Sequence, residues 1–87
     1  MRELKAAAQP ELDIRGMAVD EALPVLDNFL DAAYMGNLPN ARIIHGKGTG
    51  ALRKAVHASL RRNKAVKSFR LGNYGEGESG VTVVELK

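Results

Sequence analysis

Three glycines fall within five residues, Gly46-Lys47-Gly48-Thr49-Gly50, at the junction of two stretches with different hydrophobic periods. No other feature limits the fold as strongly. Before the run, Ala41-Arg42-Ile43-Ile44-His45 reads as a strand. After it, Ala51, Leu52, Ala55, Val56, Ser59 and Leu60 recur at helical spacing. Glycine tolerates positive φ and lets another group approach the backbone, so the run predicts a tight strand-to-helix turn. The same arrangement occurs earlier in the chain. Leu12-Asp13-Ile14-Arg15 alternates apolar and polar residues, and Gly16 stops it. From Val19 to about Met35, the residues Ala22, Leu23, Leu26, Phe29, Leu30 and Ala33 mark a helix ended by Gly36-Asn37. Pro24 requires that helix to start late or to bend.

Val66 to Leu71 reads as a third strand, Gly72 to Gly80 as a long glycine-rich loop, and Val81 to Leu86 as a β-branched last strand. The order is β-α-β-α-β-β. Strand–helix alternation predicts parallel pairing of the first strands through right-handed crossovers, which place both helices on one face. The loop before the last strand predicts that it runs antiparallel to the third. The expected fold class is therefore α/β, specifically an α+β two-layer sandwich. It has a four-stranded mixed sheet, two helices on one face and the other face open. Residues 1–10 read as a leader ending at Pro10, and residues 11–87 as one domain.

Eighty-seven residues allow one modest core, burying roughly 60–65% of the unfolded surface. Cysteine is absent, which excludes disulfides and thiolate metal sites. There is no apolar run of membrane-spanning length and no signal peptide, so the expectation is a cytoplasmic protein without a membrane partner. The net charge of +3 conceals a division. Residues 1–41 hold three bases against seven acids, whereas residues 42–87 hold ten bases against three acids. That asymmetry points to a polyanionic partner.

In parallel α/β units, ligands gather beyond the C-terminal ends of the strands. Here those ends carry Asp13, Arg15 and Gly16, and then His45, Gly46, Lys47, Gly48, Thr49 and Gly50. A glycine turn leading into a helix N-terminus offers free N–H groups and a positive dipole end to an anion such as phosphate. The run is not a nucleotide-binding P-loop, because Gly48 rather than Ser or Thr follows Lys47. It is not GxGxxG either, because Ala51 stands where the third glycine is needed. Arg53, His57 and Arg61, four residues apart, form one stripe beside the turn. With Lys67 and Arg70 they make a candidate phosphate-tracking surface. Aromatic residues are few, and only Tyr74 falls in an exposed loop, so backbone or shape recognition is expected over base stacking.

Each feature also has a plainer reading. The glycine turn can be a connection alone, and a basic helix face is usually just solvated. Asp13 and Arg15 suit a local ion pair better than catalysis on spacing alone. His45 can be a hydrogen-bonded strand end, and His57 a surface residue. Two distant histidines with scattered carboxylates make no metal-ligand pattern.

Three blocks in order narrow the choice: Leu12-Asp13-Ile14-Arg15-Gly16; Ile43-Ile44-His45-Gly46-Lys47-Gly48-Thr49-Gly50-Ala51-Leu52-Arg53; and Gly80-Val81-Thr82-Val83-Val84-Glu85-Leu86. Together they closely resemble the small MutS-related (Smr) domain, from about Glu11 to Lys87. The His-Gly-Lys-Gly-Thr-Gly run is the specific part. The nearest subgroup looks like the Smr domain that ends a bacterial MutS paralogue, which implies a domain excised from a larger chain.

The resemblance implies a fold like the C-terminal domain of translation initiation factor three. It also implies nucleic-acid binding and, in many members, nicking of phosphodiester bonds with low sequence specificity. Many members carry histidine where Arg15 stands, so a mechanism needing that histidine is unavailable here. The expected catalytic set is Asp13, Arg15, His45 and Lys47. The expected phosphate-binding set is Gly46, Lys47, Gly48, Thr49, Gly50, Arg53, His57 and Arg61. In this reading Asp13 orients or activates water, directly or through a divalent ion (Mg or Mn). His45 is the general acid or base, and Arg15, Lys47 and the turn amides hold the phosphate. No intrinsic cofactor is expected, and ATP belongs to other domains of the parent.

The expected partners are DNA or structured RNA, including the ribosome. The parent protein would be a dimer acting in suppression of recombination or rescue of collided ribosomes, with the isolated domain a monomer. A non-catalytic binding module of the same parent is the main alternative. A protein–protein adaptor using the open sheet face is the third.

Overall fold

The computed structural model describes residues 10–75 and 78–87. The expected leader lies outside the described residues except for Pro10. Strand β1 (Glu11–Asp13) is followed by α1 (Val19–Met35), β2 (Asn40–Ile44), α2 (Ala51–Arg62), β3 (Val66–Leu71), a 3-10 turn (Glu78–Gly80) and β4 (Val81–Leu86). The observed order is the expected β-α-β-α-β-β.

The sheet order is β1-β2-β4-β3. β1 pairs parallel with β2, with Asp13 opposite Ile44. The last strand inserts between β2 and β3 and runs antiparallel to both, with Thr82 opposite Ile43 on one side and Leu71 on the other. A β-bulge between Val66 and Ser68 shifts the register at the β3 edge. Because β4 enters from the end where β1, β2 and β3 finish, three connections meet there. These are the β1–α1 turn, the glycine turn and the β3–β4 loop.

One sheet face is apolar and covered. Ala41, Ile43, Thr82, Val84 and Leu86 are buried on it. The core joins Ile43, Val84 and Leu86 to Ala22, Leu26, Leu30 and Ala33 of α1 and to Val56 and Leu60 of α2. Burying a Leu, Ile or Val contributes about 1.5–3 kcal/mol. These side chains therefore set where both helices lie. The opposite face carries polar and charged groups, among them the Glu11–Arg42 ion pair at 3.2 Å and the Ser68–Glu85 hydrogen bond at 3.0 Å. Among the described residues, no helix lies over it.

Helix α1 does not wait for Pro24. It starts at Val19 and runs through the proline at its sixth position, where Asp20 forgoes one intrahelical bond. Four buried anchors on the same helix outweigh that loss. The Glu21 side chain accepts the N–H of Ala18 at 3.2 Å and so satisfies one donor at the N-terminus. At the other end Asn37, with φ +60°, takes the left-handed position, and Leu38 N–H donates back to Ala33. Among the described residues, no helix is long and apolar enough to cross a membrane.

Candidate functional site

An open cleft of about 570 Å³ lies where the connections meet. One wall is Arg15, Gly16, Met17, Ala18 and Val19. The other runs from His45 through the glycine turn to Arg53. Both walls end in a helix N-terminus: Ala18-Val19 begins α1 and Gly50-Ala51 begins α2. The first N–H groups of a helix lack intrahelical partners, and each N-terminus carries a partial positive charge. The cleft is therefore electropositive before any side chain is counted. No acidic residue occupies the first turn of α2, whereas Asp20 and Glu21 occupy that of α1 and Glu21 takes the Ala18 N–H, so α2 is the stronger positive end.

The glycines are required by the conformation of the turn. Gly46 and Gly50 have φ of +81° and +86°. A Cβ on Gly46 would stand 3.4 Å from Cγ of Arg15, because the aliphatic stem of that arginine lies across the turn. A Cβ on Gly50 would stand 2.9 Å from the guanidinium of Arg53, which folds back over it. Arg15 and Arg53 thus flank the turn from opposite walls. The base of the turn is fastened to the 3-10 turn that leads into β4, since the carbonyl of Gly80 accepts the N–H groups of both His45 and Gly46, at 3.1 and 2.9 Å.

Asp13 and Arg15 form a two-pronged ion pair. Nε of Arg15 donates to Oδ1 at 3.0 Å and Nη2 donates to Oδ2 at 2.7 Å, while the Arg15 backbone N–H also reaches Oδ1 at 3.0 Å. The arginine side-chain bonds, then the backbone bond, hold the Asp13 carboxyl down from 3.8 to about 2, and the same contacts raise Arg15. Asp13 is therefore ionised at any ordinary pH. It acts as an acceptor that aims Arg15 and is a weak base. Lys47 has a partner that the spacing did not point to: Glu78, on the β3–β4 loop, sits 3.9 Å from its ammonium.

The histidines lie beneath the cleft. His45 is 4% exposed, and both its ring nitrogens are engaged: Nδ1 lies 2.9 Å from the Gly46 carbonyl and Nε2 lies 2.8 Å from the Thr82 hydroxyl. The stripe expected along α2 divides. Arg53 lines the cleft, but His57 turns to Thr82 at 2.7 Å and to the ring of Phe69 at 4.9 Å, and Arg61 stacks over Phe69 at 5.8 Å. Burial first, then the neighbouring His45, Arg61 and Arg53, push His57 below its ordinary 6.5. The structure thus brings Arg15, Lys47, Gly46, Gly48, Thr49, Gly50 and Arg53 together, with Asp13 behind Arg15. His57 and Arg61 lie along the α2–β3 seam.

The Smr domain model matches residues 12–87. The chain belongs to the Smr domain family. Over 78 residues it is 59% identical to Endonuclease MutS2 of Lachnoclostridium phytofermentans, a match covering 90% of this chain and 10% of that protein. The chain thus spans about a tenth of the length of the curated relatives it matches. The crystal structure of the Smr domain of Thermus thermophilus MutS2 superposes with a TM-score of 0.87 at 50% identity, covering 90% of this chain and 98% of that one. YdaL, a stand-alone small MutS-related protein from Escherichia coli, gives the same TM-score at 26% identity and covers 93% of this chain and 66% of that one.

Among the described residues of this Smr domain, no three His, Cys, Asp or Glu side chains converge as metal ligands. In the cleft region a cation would find Asp13 already bound to Arg15, so the donor set does not fit a resident metal. Sequence spacing missed Met17, Ala18 and Val19 as the second wall, although the adjacency of β1 and β2 implies it. It also missed Thr82, whose partners lie 25 and 37 residues away.

Proposed function

We propose that the cleft binds the phosphodiester backbone of a nucleic acid and that the domain nicks it with little sequence preference. The carrying observation is the convergence of two helix N-termini and a three-glycine turn between Arg15, Lys47 and Arg53. Such a site recognises a phosphate by its charge and its need for donors, and reads no base. Arg15, held in orientation by Asp13, approaches from one wall, while Lys47 and the turn amides approach from the other. Charge developing on the phosphorus oxygens would meet preorganised donors from both sides. Asp13 supplies the acceptor that orients the attacking water. For His45 to act as general acid or base, its ring must first give up its bond to Gly46 or to Thr82.

That last requirement favours a second reading, a binding module without chemistry. Asp13 is a weak base and His45 has no free ring nitrogen, so the grip on phosphate is more fully built than the proton transfer. One experiment separates the two. Supercoiled plasmid and structured RNA are incubated with the purified chain, with and without Mg²⁺ or Mn²⁺, and with the Asp13→Ala, His45→Ala and Lys47→Ala variants. Nicking that falls in the variants supports the enzyme. Salt-sensitive binding without nicking supports the module. Nicking undiminished in all three variants rejects the site. The names of the relatives support the nuclease reading for their parent chains. Roles in recombination or on stalled ribosomes, and a dimeric state, belong to this proposal at the level of such a parent.

A further inference from the structure

Thr82 is fully buried on the helix-facing side of β4, where a hydroxyl is stable only if it is hydrogen-bonded. Its oxygen lies between two imidazoles, 2.8 Å from Nε2 of His45 and 2.7 Å from Nε2 of His57. The far nitrogen of His45 meets the Gly46 carbonyl at 2.9 Å. A carbonyl only accepts, so Nδ1 of His45 carries its hydrogen. In the neutral ring Nε2 is then an acceptor. Thr82 must donate to it, and the remaining acceptor capacity of Thr82 is filled by the N–H of His57. Every hydrogen in the row has one direction: His57 to Thr82, Thr82 to His45, His45 to Gly46.

The end of the row lies at the site. In a trans peptide the C=O and N–H point opposite ways. Holding the Gly46 carbonyl on the buried ring therefore turns the N–H of Lys47 away from that ring, toward the outer side of the turn. The N–H of Gly46 is already committed to Gly80 on the sheet side. The peptide between Gly46 and Lys47 is thus fixed from beneath, and its orientation decides whether the turn offers a donor to an anion.

We propose that Thr82 and His57 are positioning residues, and that their row of hydrogen bonds through His45 sets the Gly46–Lys47 peptide with its N–H facing the cleft. The proposal rests on the phosphate reading of the cleft, but its hydrogen-bond pattern can be tested separately. Which ring nitrogen of a histidine is protonated is set by the partner of the other nitrogen. Removing the Thr82 hydroxyl leaves the buried Nε2 of His45 without its donor, so the ring can turn away from the Gly46 carbonyl that fixes its tautomer. Removing the His57 ring withdraws only the outer donor.

The test is nitrogen-15 NMR of the 87-residue chain, reading the His45 tautomer and following the amides of Lys47, Gly48 and Thr49 as inorganic phosphate is added. Wild type is expected to show a single His45 tautomer, protonated on Nδ1, and phosphate-dependent shifts at the turn. Thr82→Val should lose the single tautomer and weaken phosphate by about five- to tenfold, the effect of one buried hydrogen bond. Thr82→Ser should restore both. His57→Leu should give a smaller loss that His57→Gln rescues, and it keeps the test open if Thr82→Val fails to fold. A wild-type His45 protonated on Nε2 overturns the row outright. A folded Thr82→Val that keeps both tautomer and affinity overturns the positioning role. Phosphate that leaves the wild-type turn amides unmoved, with the tautomer as expected, overturns the phosphate reading while the hydrogen-bond row stands.

Discussion

The carboxylate of Asp13 grips the guanidinium of Arg15 through both of its oxygens, with the shortest contact 2.7 Å. The two residues flank Ile14, which is fully buried and fixes the local backbone. Asp13 therefore serves the arginine more directly than it serves a proton transfer. Its carboxyl should titrate near 2 in the folded chain, and Arg15→Gln should return it toward 3.8. Because the folded value is depressed, whatever stability the pair contributes is present above 3.8 and is lost as pH falls through about 2. Carboxyl carbon-13 shifts followed through the acid range read this directly. An Asp13 midpoint unaffected by Arg15→Gln removes the arginine as the cause.

Backbone strain at the turn gives a second expectation. Gly16 and Gly50 have φ of +82° and +86°, but only Gly50 has a neighbour where a Cβ would go. Both Gly→Ala changes force an L side chain into the left-handed region, which costs about 1–2 kcal/mol. Gly50→Ala must also displace the Arg53 guanidinium. Gly16→Ala should lower Tm by about 4–15 °C in a domain of this size, and Gly50→Ala by at least as much. Phosphate affinity should fall only in Gly50→Ala, since that change moves a cleft cation. Thermal melts with and without phosphate separate the two effects.

The architecture was legible wherever it depends on local pattern. The switch from strand to helical periodicity across Gly46–Gly50, and the repeat of that switch at Gly16, gave the element order and the covered face. The site's long-range partners were hidden. Thr82 lies in Val81-Thr82-Val83, where β-branching alone explains it, and its hydroxyl matters only because Thr82 stands opposite Ile43 beneath α2. Helical spacing placed His57 on a stripe with Arg53 and Arg61. The rotation of α2 was decided by Val56 and Leu60 entering the core, which brought His57 against Thr82 and Phe69. Glu78 fell in a glycine-rich loop with no pattern to tie it to Lys47. Pro24 was predicted to delay or bend its helix; the delay is absent, because four core anchors hold the helix from Val19 onward.

The partly buried His57 supplies a pH signature. Its folded value lies below 6.5, first because burial disfavours the cation and then because His45, Arg61 and Arg53 are nearby. A depressed basic group is protonated more readily in the unfolded chain. Stability should therefore be complete above pH 6.5 and decline as pH falls from 6.5 through the depressed value. Urea melts at pH 7.5 and 5 should show a lower midpoint at the acid pH. His57→Gln, which keeps a donor and loses the titration, should narrow that difference. An unchanged difference would assign the acid sensitivity to another group.

Salt dependence tests the cleft as a phosphate site independently of catalysis. Arg15, Lys47 and Arg53 can neutralise about three phosphates, for which log K against log salt should slope near −3. Two of these cations already hold carboxylates, Asp13 on Arg15 and Glu78 on Lys47, and those contacts must loosen or be shared as phosphate enters. Arg53→Ala should therefore reduce the slope by about 1, because its charge is lost outright. Glu78→Gln should strengthen binding at low salt by releasing Lys47. His57 and Arg61 lie on the α2–β3 seam rather than in the cleft, so Arg61→Ala should leave the slope near the wild-type value unless nucleic acid extends along α2. Fluorescence anisotropy with a labelled oligonucleotide between about 50 and 200 mM salt measures all three. A slope lowered equally by Arg53→Ala and Arg61→Ala would move the nucleic-acid path out of the cleft and along the helix.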